Sequence, residues 1–596
     1  MSSFDSNGNY NKTNWKTGDK ITADKLNKIE ESLEIINNND IERHKEADGR
    51  LDKLEQNEKV IEEELNNKAT KEELNQGKAD MEAMVAEVEA DLEGLHAKDE
   101  ELSAQLAYIE KNLERINVKK FGAKGDGVTD DSEAIKNAFS HISGTGGEIY
   151  FPNGRYLIKS MLMITSNKPL IINGDTDSEI NILSNHLADG TRIECTGITK
   201  LSIKNLTIKD VNPSLERSNL YGSLTINNCT NVDIHNLEIF ETNGVGLYFI
   251  NKCKNVNVYN CKIHDTEADG IHINRGCKDF RVYCCDIYNT KDDCIGFVSH
   301  EHAVYDANQR IEIFNNRLHD TIITGSGICC DGSRDISIHD NIIFNTLLSG
   351  IRITPMDEGD GIKTYPKDIN IYNNNIYTVG TSSESGLKQG ISINNSTNVR
   401  LHNNVLNSMI GGIFITGSNG DISVNNNQLS NSSDCGIWVT TTNDNNANDA
   451  AYIFINNNTI KNVTHDSIRI DCESLKSEII VLKNNNCMHI NHLNADGVNG
   501  IFVNNTKLLD MQNNTLTTPY KITNFSLYKC DYTIRRNNYP YDAYEGNVIG
   551  ESIHTFSGTP TGGKNADICW NWNPADSAIA FWVNVQGNWK PVKWID

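Results

Sequence analysis

One short phrase, recurring at a nearly fixed interval, constrains this chain more than anything else in it. Gly-Ile-x-Ile appears at Gly270-Ile271-His272-Ile273, Gly350-Ile351-Arg352-Ile353, Gly390-Ile391-Ser392-Ile393 and Gly412-Ile413-Phe414-Ile415. Variants stand at Gly246-Leu247, Cys294-Ile295, Gly327-Ile328, Gly436-Ile437 and Gly500-Ile501. The regular intervals, such as 246 to 270, 270 to 294 and 390 to 412, are 22–24 residues. A second phrase accompanies the first, as in Asn255-Val256-Asn257-Val258, Asp335-Ile336-Ser337-Ile338, Asp368-Ile369-Asn370-Ile371 and Asn398-Val399-Arg400-Leu401. A unit this small cannot bury its apolar face alone, so successive units must stack. No 3.6-residue period fits inside a unit, which argues against helical repeats, and a β-propeller wants longer blades. The prediction is a right-handed parallel β-helix over residues 119–535, its coils about 4.8 Å apart and its Ile and Val aligned inward. The pairs Asn315-Asn316, Asn403-Asn404 and Asn426-Asn427 suit tight turns, where Asn tolerates a left-handed backbone. Longer intervals after 294, 350 and 436 read as protruding loops.

The flanks have a different character. Residues 21–118 hold no Pro and no Cys. Their apolar residues Val85, Val88, Leu92, Leu95, Leu102, Leu106, Ile109, Leu113 and Ile116 follow a heptad seam broken only at Asp99. Leu51, Leu54, Ile61 and Leu65 fit the same period, whereas Leu74 and three glycines interrupt it. An interrupted coiled coil follows, and an unpartnered seam would leave those side chains in water, so the chain is expected to oligomerise. Residues 536–596 carry five of the seven tryptophans and short alternating runs such as Ala578-Ile579-Ala580-Phe581-Trp582-Val583. They read as a small β module whose rings form its core or a trimer contact rather than a sugar platform. The chain is thus all-β, a parallel β-helix preceded by an α-helical coiled coil and followed by a small C-terminal β domain, with residues 1–20 a polar N-terminal segment.

Charge narrows the partners. With 55 Lys and Arg against 80 Asp and Glu, the formal charge is −25, which argues against nucleic acid and against docking on anionic lipid. No apolar run is long enough to span a membrane, and the polar stretch Met1 to Lys20 is not expected to be a signal peptide. The fifteen cysteines show no CxxC pair and no framework spacing. They are expected to be free, mostly buried thilos of a protein assembled in a reducing cytosol, without a zinc site or any other cofactor.

The repeat also places chemistry. A residue one repeat later lies directly above its counterpart, so Asp293 should sit about 5 Å from Asp269 on the adjacent coil, with Asp292 beside them. Carboxylates that close cannot all ionise freely, so one pKa should rise. A raised acid next to an ionised base is the equipment for glycoside hydrolysis. Arg352 and His272 occupy one offset on different coils, and His300 opens the loop that follows Asp293. Arg352, His272 and His300 are therefore the candidate substrate-binding residues, and Asp269, Asp292 and Asp293 the candidate catalytic ones, with no metal assigned. The competing reading is architectural, because Asp before Gly is common in turns, where it accepts backbone N–H groups. A further, weaker option is Ca²⁺-dependent lyase chemistry at the acidic loop of Asp357, Glu358 and Asp360.

The segment Val118-Lys119-Lys120-Phe121-Gly122-Ala123-Lys124-Gly125-Asp126-Gly127-Val128-Thr129-Asp130-Asp131, continued by Ala134-Ile135, Ala138-Phe139, Gly146-Gly147-Glu148-Ile149-Tyr150-Phe151-Pro152 and Gly154-Arg155-Tyr156, resembles the opening of the pectate-lyase-superfamily β-helix. The resemblance implies a short helix capping the first coil. This opening is common in phage tailspikes and appendages that degrade host surface polymers, and Trp15-Lys16-Thr17-Gly18-Asp19-Lys20-Ile21-Thr22-Ala23 with Leu26-Asn27 resembles the N-terminal anchors of phage tail proteins. The acids resemble those of polygalacturonase-type inverting hydrolases. Asp292-Asp293-Cys294 matches their Asp-Asp-Cys, and Asp269 keeps the Asp of Asn-Thr-Asp. Gly325-Ser326-Gly327 lacks their His, and Arg352-Ile353-Thr354 lacks the Lys that holds a substrate carboxylate, so galacturonan is not implied.

Together these observations give a homotrimeric phage tailspike or preneck-appendage protein of the virion, its coiled coil trimeric, attached to other tail proteins through its N-terminus. On this reading it binds and hydrolyses a bacterial surface polysaccharide. Two alternatives stand beside it: a receptor-binding fibre without enzymatic activity, and a phosphodiesterase acting on teichoic acid. The second draws on a Lys- and Asn-rich composition that suits a Gram-positive host.

Overall fold

The computed structural model describes residues 115–183, 192–211, 222–299, 307–357, 363–380, 388–417, 419–441, 452–472, 476–488, 499–517, 523–536 and 538, together with four strands between 553 and 593. The anchor expected over residues 1–20 lies outside the described residues, as does the coiled coil as far as residue 114.

From Arg115 to Arg536 the chain winds into one continuous 41-stranded sheet, a right-handed parallel β-helix. Each Gly-Ile-x-Ile phrase is a short strand paired in parallel with its counterpart on the next coil. Ile271, Ile295, Ile328, Ile351, Ile391, Ile413, Ile437, Ile468 and Ile501 thus form one inward column, and all nine are fully buried. The second phrase supplies another strand per coil, such as Arg334–His339 and Lys367–Tyr372. A third, such as Asp286–Thr290, completes the turn.

The opening is capped as the resemblance implies. Helix α1 (Ser132–Ile142) turns Ile135, Ala138, Phe139 and Ile142 into the first coil. One expectation is corrected at the boundary. Ile116 is not the last member of a helical seam, because Arg115–Asn117 is a strand paired with Gly147–Phe151 and Ile116 is 4% exposed. The end of the core was open to it, and burial there outweighs a heptad position that has to find a partner helix. The loop expected after residue 350 contains a short antiparallel pair, Met356–Asp357 with Lys363–Thr364. Residues 358–360, which carry Glu358 and Asp360 of the acidic loop, lie outside the described residues. Near the C-terminus, Ile553–Phe556, Ile568–Asn571, Ile579–Val585 and Asn588–Lys593 form a separate four-stranded sheet.

The Asn pairs divide their labour. The first member takes the left-handed turn, with φ of 54° at Asn315 and 57° at both Asn403 and Asn426. The second points inward and forms a ladder: Asn316, Asn341, Asn374, Asn404, Asn427, Asn458, Asn485, Asn514 and Asn538. Asn404 is representative. Its Oδ1 accepts from the Asn374 N–H at 3.1 Å and from Asn374 Nδ2 at 3.0 Å, while its own Nδ2 donates to Ile371 O at 2.9 Å and to Asn427 Oδ1 at 3.0 Å. Amides suit this place because each is both donor and acceptor. The ladder begins where Cys285 donates its N–H to Asn316 Oδ1 at 3.0 Å.

The cysteines from Cys195 to Cys530 are all free thiols and all are buried except Cys284. No helix among the described residues is long and apolar enough to cross a membrane.

Replacing Asn404 with Ala strips an acceptor from two donors of Asn374 and a donor from Ile371 O. Unsatisfied buried groups cost about 1–3 kcal/mol each, so the unfolding midpoint in urea should fall by an amount equivalent to about 2–4 kcal/mol. An exposed control outside the left-handed turns, Asn375→Ala, should leave the midpoint nearly unchanged.

Candidate functional site

Four strands build the site: β1 (Ile271–Asn274), β2 (Ile295–Val298), β3 (Ile328–Asp331) and β4 (Ile351–Thr354). They stack in register, so His272, Gly296, Cys329 and Arg352 form one outward column on successive coils. Immediately before β1 and β2 the chain places Asp269 beneath Asp293, locked by Gly270 N–H to Asp293 O at 3.1 Å and Ile271 N–H to Cys294 O at 3.0 Å.

Asp269, Asp292 and Asp293 each bring one carboxylate oxygen within 4.8 Å of the others. Asp269 and Asp293 are 6% exposed, whereas Asp292 is half-buried. Asp269 Oδ1 accepts the Asp293 N–H at 3.0 Å, and Asp269 Oδ2 pairs with His272 Nδ1. Asp293 Oδ1 accepts the Ser326 N–H at 2.6 Å, and its Oδ2 lies 3.5 Å from Arg352 Nη2. Asp292 Oδ1 also accepts from the Asp293 N–H, at 3.2 Å.

The electrostatics follow from this packing. Burial pushes the Asp293 carboxyl up to about 7. Arg352 opposes the rise, the Asp269 and Asp292 carboxylates reinforce it, and the Ser326 N–H opposes it further. Burial works against the His272 imidazolium, but the Asp269 carboxylate it touches, with Asp293 and Asp292 beyond, outweighs this and holds the ring above its ordinary range. Three carboxylates thus gather with the His272 ring on one side and the Arg352 guanidinium on the other. At neutral pH this arrangement can offer a proton from Asp293 while Asp292 faces solvent as a base. The trio is also close enough to hold a divalent cation through one oxygen from each residue.

The structure brings together Asp269, Asp292, Asp293, His272 and Arg352. His300 lies outside the described residues. Three further residues matter that the repeat alone did not single out. Asp331 Oδ2 lies 3.5 Å from Arg352 Nη2, so the guanidinium bridges Asp293 and Asp331. The signal for Asp331 was strand alternation, because it sits two residues past Cys329 on the same face. Cys329 touches Arg352 Nη2 at 2.8 Å, and burial pushes its thiol well up, so it packs there uncharged. Gly296 leaves room for the acids in the column: a Cβ there would meet Asp269 Oδ2 at 3.0 Å and His272 Nδ1 at 3.4 Å. His272 flanks this place on one side, and Cys329, with Arg352 one coil further on, on the other. Gly325, with φ of +105°, is obligatory for another reason, since a Cβ would strike the Asp292 carbonyl oxygen at 2.2 Å.

Two family models match within the β-helix. Residues 115–246 match rhamnogalacturonase A/epimerase, pectate lyase-like, and residues 298–449 match the right handed beta helix region. Among curated proteins, the plasmin and fibronectin-binding protein A of Streptococcus pneumoniae is 30% identical over 164 residues, covering 24% of this chain and 22% of that protein. The preneck appendage protein of Bacillus phage PZA is 29% identical over 134 residues, 21% of this chain and 15% of that protein. The chain therefore spans less than a quarter of the length of either relative. Among solved structures, the A-module of the Azotobacter vinelandii mannuronan C-5 epimerase AlgE6 superposes with a TM-score of 0.40 at 15% identity, covering 70% of this chain and 99% of that one.

The raised Asp293 carboxyl has a thermodynamic consequence. Between the ordinary Asp value of 3.8 and about 7, the unfolded chain has released this proton and the folded chain has not. Stability from this group is therefore full below about pH 4 and is lost as pH rises through about 7. Asp293→Asn removes the titration. Its stability relative to the wild type should climb across that window by up to roughly 4 kcal/mol, read from urea unfolding at a series of pH values. A difference that does not change with pH would show that Asp293 ionises normally.

Proposed function

We propose that this chain is a subunit of a homotrimeric phage appendage that binds a bacterial surface polysaccharide and hydrolyses it at Asp269, Asp292 and Asp293. One observation carries the hydrolytic reading. A buried carboxyl held protonated near neutral pH stands against two further carboxylates, with a guanidinium 3.5 Å away. The virion location is supported by the likeness to the preneck appendage protein. Self-association is supported by the heptad seam and the number three by the resemblance to phage tailspikes, with residues 1–20 joining the trimer to other virion proteins.

In the proposed reaction Asp293 donates its proton to the glycosidic oxygen as the bond from that oxygen to the anomeric carbon breaks. A water molecule bonds to the same carbon and passes a proton to Asp292, the acid nearest solvent. Asp269, held by His272, keeps the Asp293 proton in place between turnovers. Arg352 orients the sugar and stabilises negative charge developing on its oxygens. One oxygen from each acid lies within 4.8 Å of the others, short of the about 6.5–9.5 Å that separates inverting pairs. The resemblance is to inverting enzymes, so the anomer of the fresh product is the discriminating readout.

A second reading has its own support. Asp269 and Asp293 each accept a backbone N–H from the next coil, as turn-forming residues would. On that reading the protein is an adhesive fibre and the acids are architecture.

The test is to incubate the purified protein with host wall and capsular polymers and to analyse what is released. Hydrolysis predicts oligosaccharides with intact reducing ends, with kcat falling as pH rises through about 7 as Asp293 loses its proton. Asp293→Asn should lower the rate about 10²–10⁴-fold with the fold retained, and EDTA should leave the wild-type rate unchanged. Unsaturated ends would point to a lyase and glycerol phosphate to action on teichoic acid. Binding without release would establish the adhesive reading.

A further inference from the structure

Beyond Arg352 the same outward column continues through Ser392, Phe414, Trp438, Arg469 and Phe502. Its chemistry changes at Phe414. Phe414 meets Trp438 edge to face, with centroids 5.0 Å apart and planes at 73°. The Arg469 guanidinium lies 5.7 Å from the Trp438 ring and 4.5 Å from the Phe502 ring. Arg469 is pinned by Asp466 at 3.2 Å and Asp471 at 3.3 Å. Asp466 repeats the position of Asp293: Gly436 N–H donates to Asp466 O at 3.0 Å, as Gly270 N–H donates to Asp293 O at 3.1 Å.

Two details set this cluster apart from simple packing. Trp438 is half-buried, and neither its indole N–H nor the Arg469 Nε–H has a hydrogen-bond partner. Unpaired sheltered donors are costly, and two of them beside aromatic rings await acceptor oxygens. Two carboxylates neutralise the Arg469 charge, so the cluster does not select a polyanion. A sugar residue meets both requirements, since its C–H face packs on an aromatic ring and its hydroxyl or ring oxygens accept from N–H donors.

We infer that Trp438, Arg469 and Phe502, with Phe414 at their upstream edge, form a distal sugar-binding position for the same polymer that is held at the acids. Five coils separate the row of Gly296 from that of Trp438, roughly 24 Å at about 4.8 Å per coil. Both places lie on one strand column, so an extended glycan running along the helix axis reaches both. The inference rests on the reading that a glycan lies on this face.

The test uses the full chain, a panel of polysaccharides purified from Gram-positive cell walls, and oligosaccharides of increasing length cut from whichever polymer the wild type binds. Trp438→Ala and Phe502→Ala should raise KM for the polymer on the order of tenfold, the equivalent of one lost stacking contact. The loss should shrink as the oligosaccharides become too short to span the two positions. Trp438→Phe keeps a ring and loses the N–H, and should give an intermediate value. It also carries the test, with Phe502→Ala, should Trp438→Ala not fold. An unchanged polymer KM in the folded variants would overturn the inference while leaving the acid site standing. So would an equal loss on short and long substrates. A wild type that binds no polysaccharide would overturn both this inference and the reading beneath it.

Discussion

Parallel, in-register stacking is the constraint on which the rest of this molecule depends. Each side chain finds its own counterpart about 4.8 Å above and below it, so every position must tolerate a copy of itself or a close substitute. Aliphatic side chains meet that condition by dispersion and exclusion of water, as in the unbroken Ile column from Ile271 to Ile501. Asn meets it by hydrogen bonding, because an amide offers a donor to one neighbour and an acceptor to the other. Aromatic rings meet it face to face. Tyr259, Tyr283, Phe314, His339, Tyr372 and His402 lie with centroids 4.6–5.0 Å apart and planes within 8°.

A carboxylate does not meet it. Stacking Asp293 on Asp269 sets like charges together in a sheltered place, and the fold answers with a proton on Asp293, with His272 against Asp269 and with Arg352 against Asp293. Asp269 and Asp293 also accept backbone N–H groups from the next coil, so the same carboxylates serve the turn. Gly296 gives them room, because a Cβ there would meet Asp269 Oδ2 at 3.0 Å. A buried carboxyl that keeps its proton, set near an imidazole and a guanidinium, is the arrangement on which the proposed acid chemistry rests.

Stacking also decides which aromatic residues are free for other work. Rings in the long columns spend their faces on one another and present edges outward, which leaves no platform for a sugar. Around Trp438 the column is heterogeneous, with Phe below and Arg above, and the repeat of identical rings is broken. Since β-helices host unrelated chemistries, the fold alone chooses none of them. The departures from self-similar stacking are where the choice is made.

The amino-acid order by itself determined the coil, because a 22–24-residue period of Gly-Ile-x-Ile has no other way to bury its isoleucines. It also determined that Asp269 and Asp293 lie on adjacent coils, since no insertion falls between them, and that Arg352 and His272 share a column. The inward role of the second Asn in each pair was not legible, since turn chemistry explains an Asn-Asn pair equally well and only the closed coil shows which amide is enclosed. Ile116 misled because a heptad seam and a β-strand can share an apolar residue, and the neighbouring strand decided between them. The repeat phrase gives Asp331 and Trp438 a face but not their partners, so only the tertiary structure could show that the Arg352 guanidinium is shared between Asp293 and Asp331 and that Trp438 stands between Phe414 and Arg469 with its indole N–H unpaired. Loop length is invisible to the register: the chain can leave the coil, return at the same rung, and stack as though nothing had intervened.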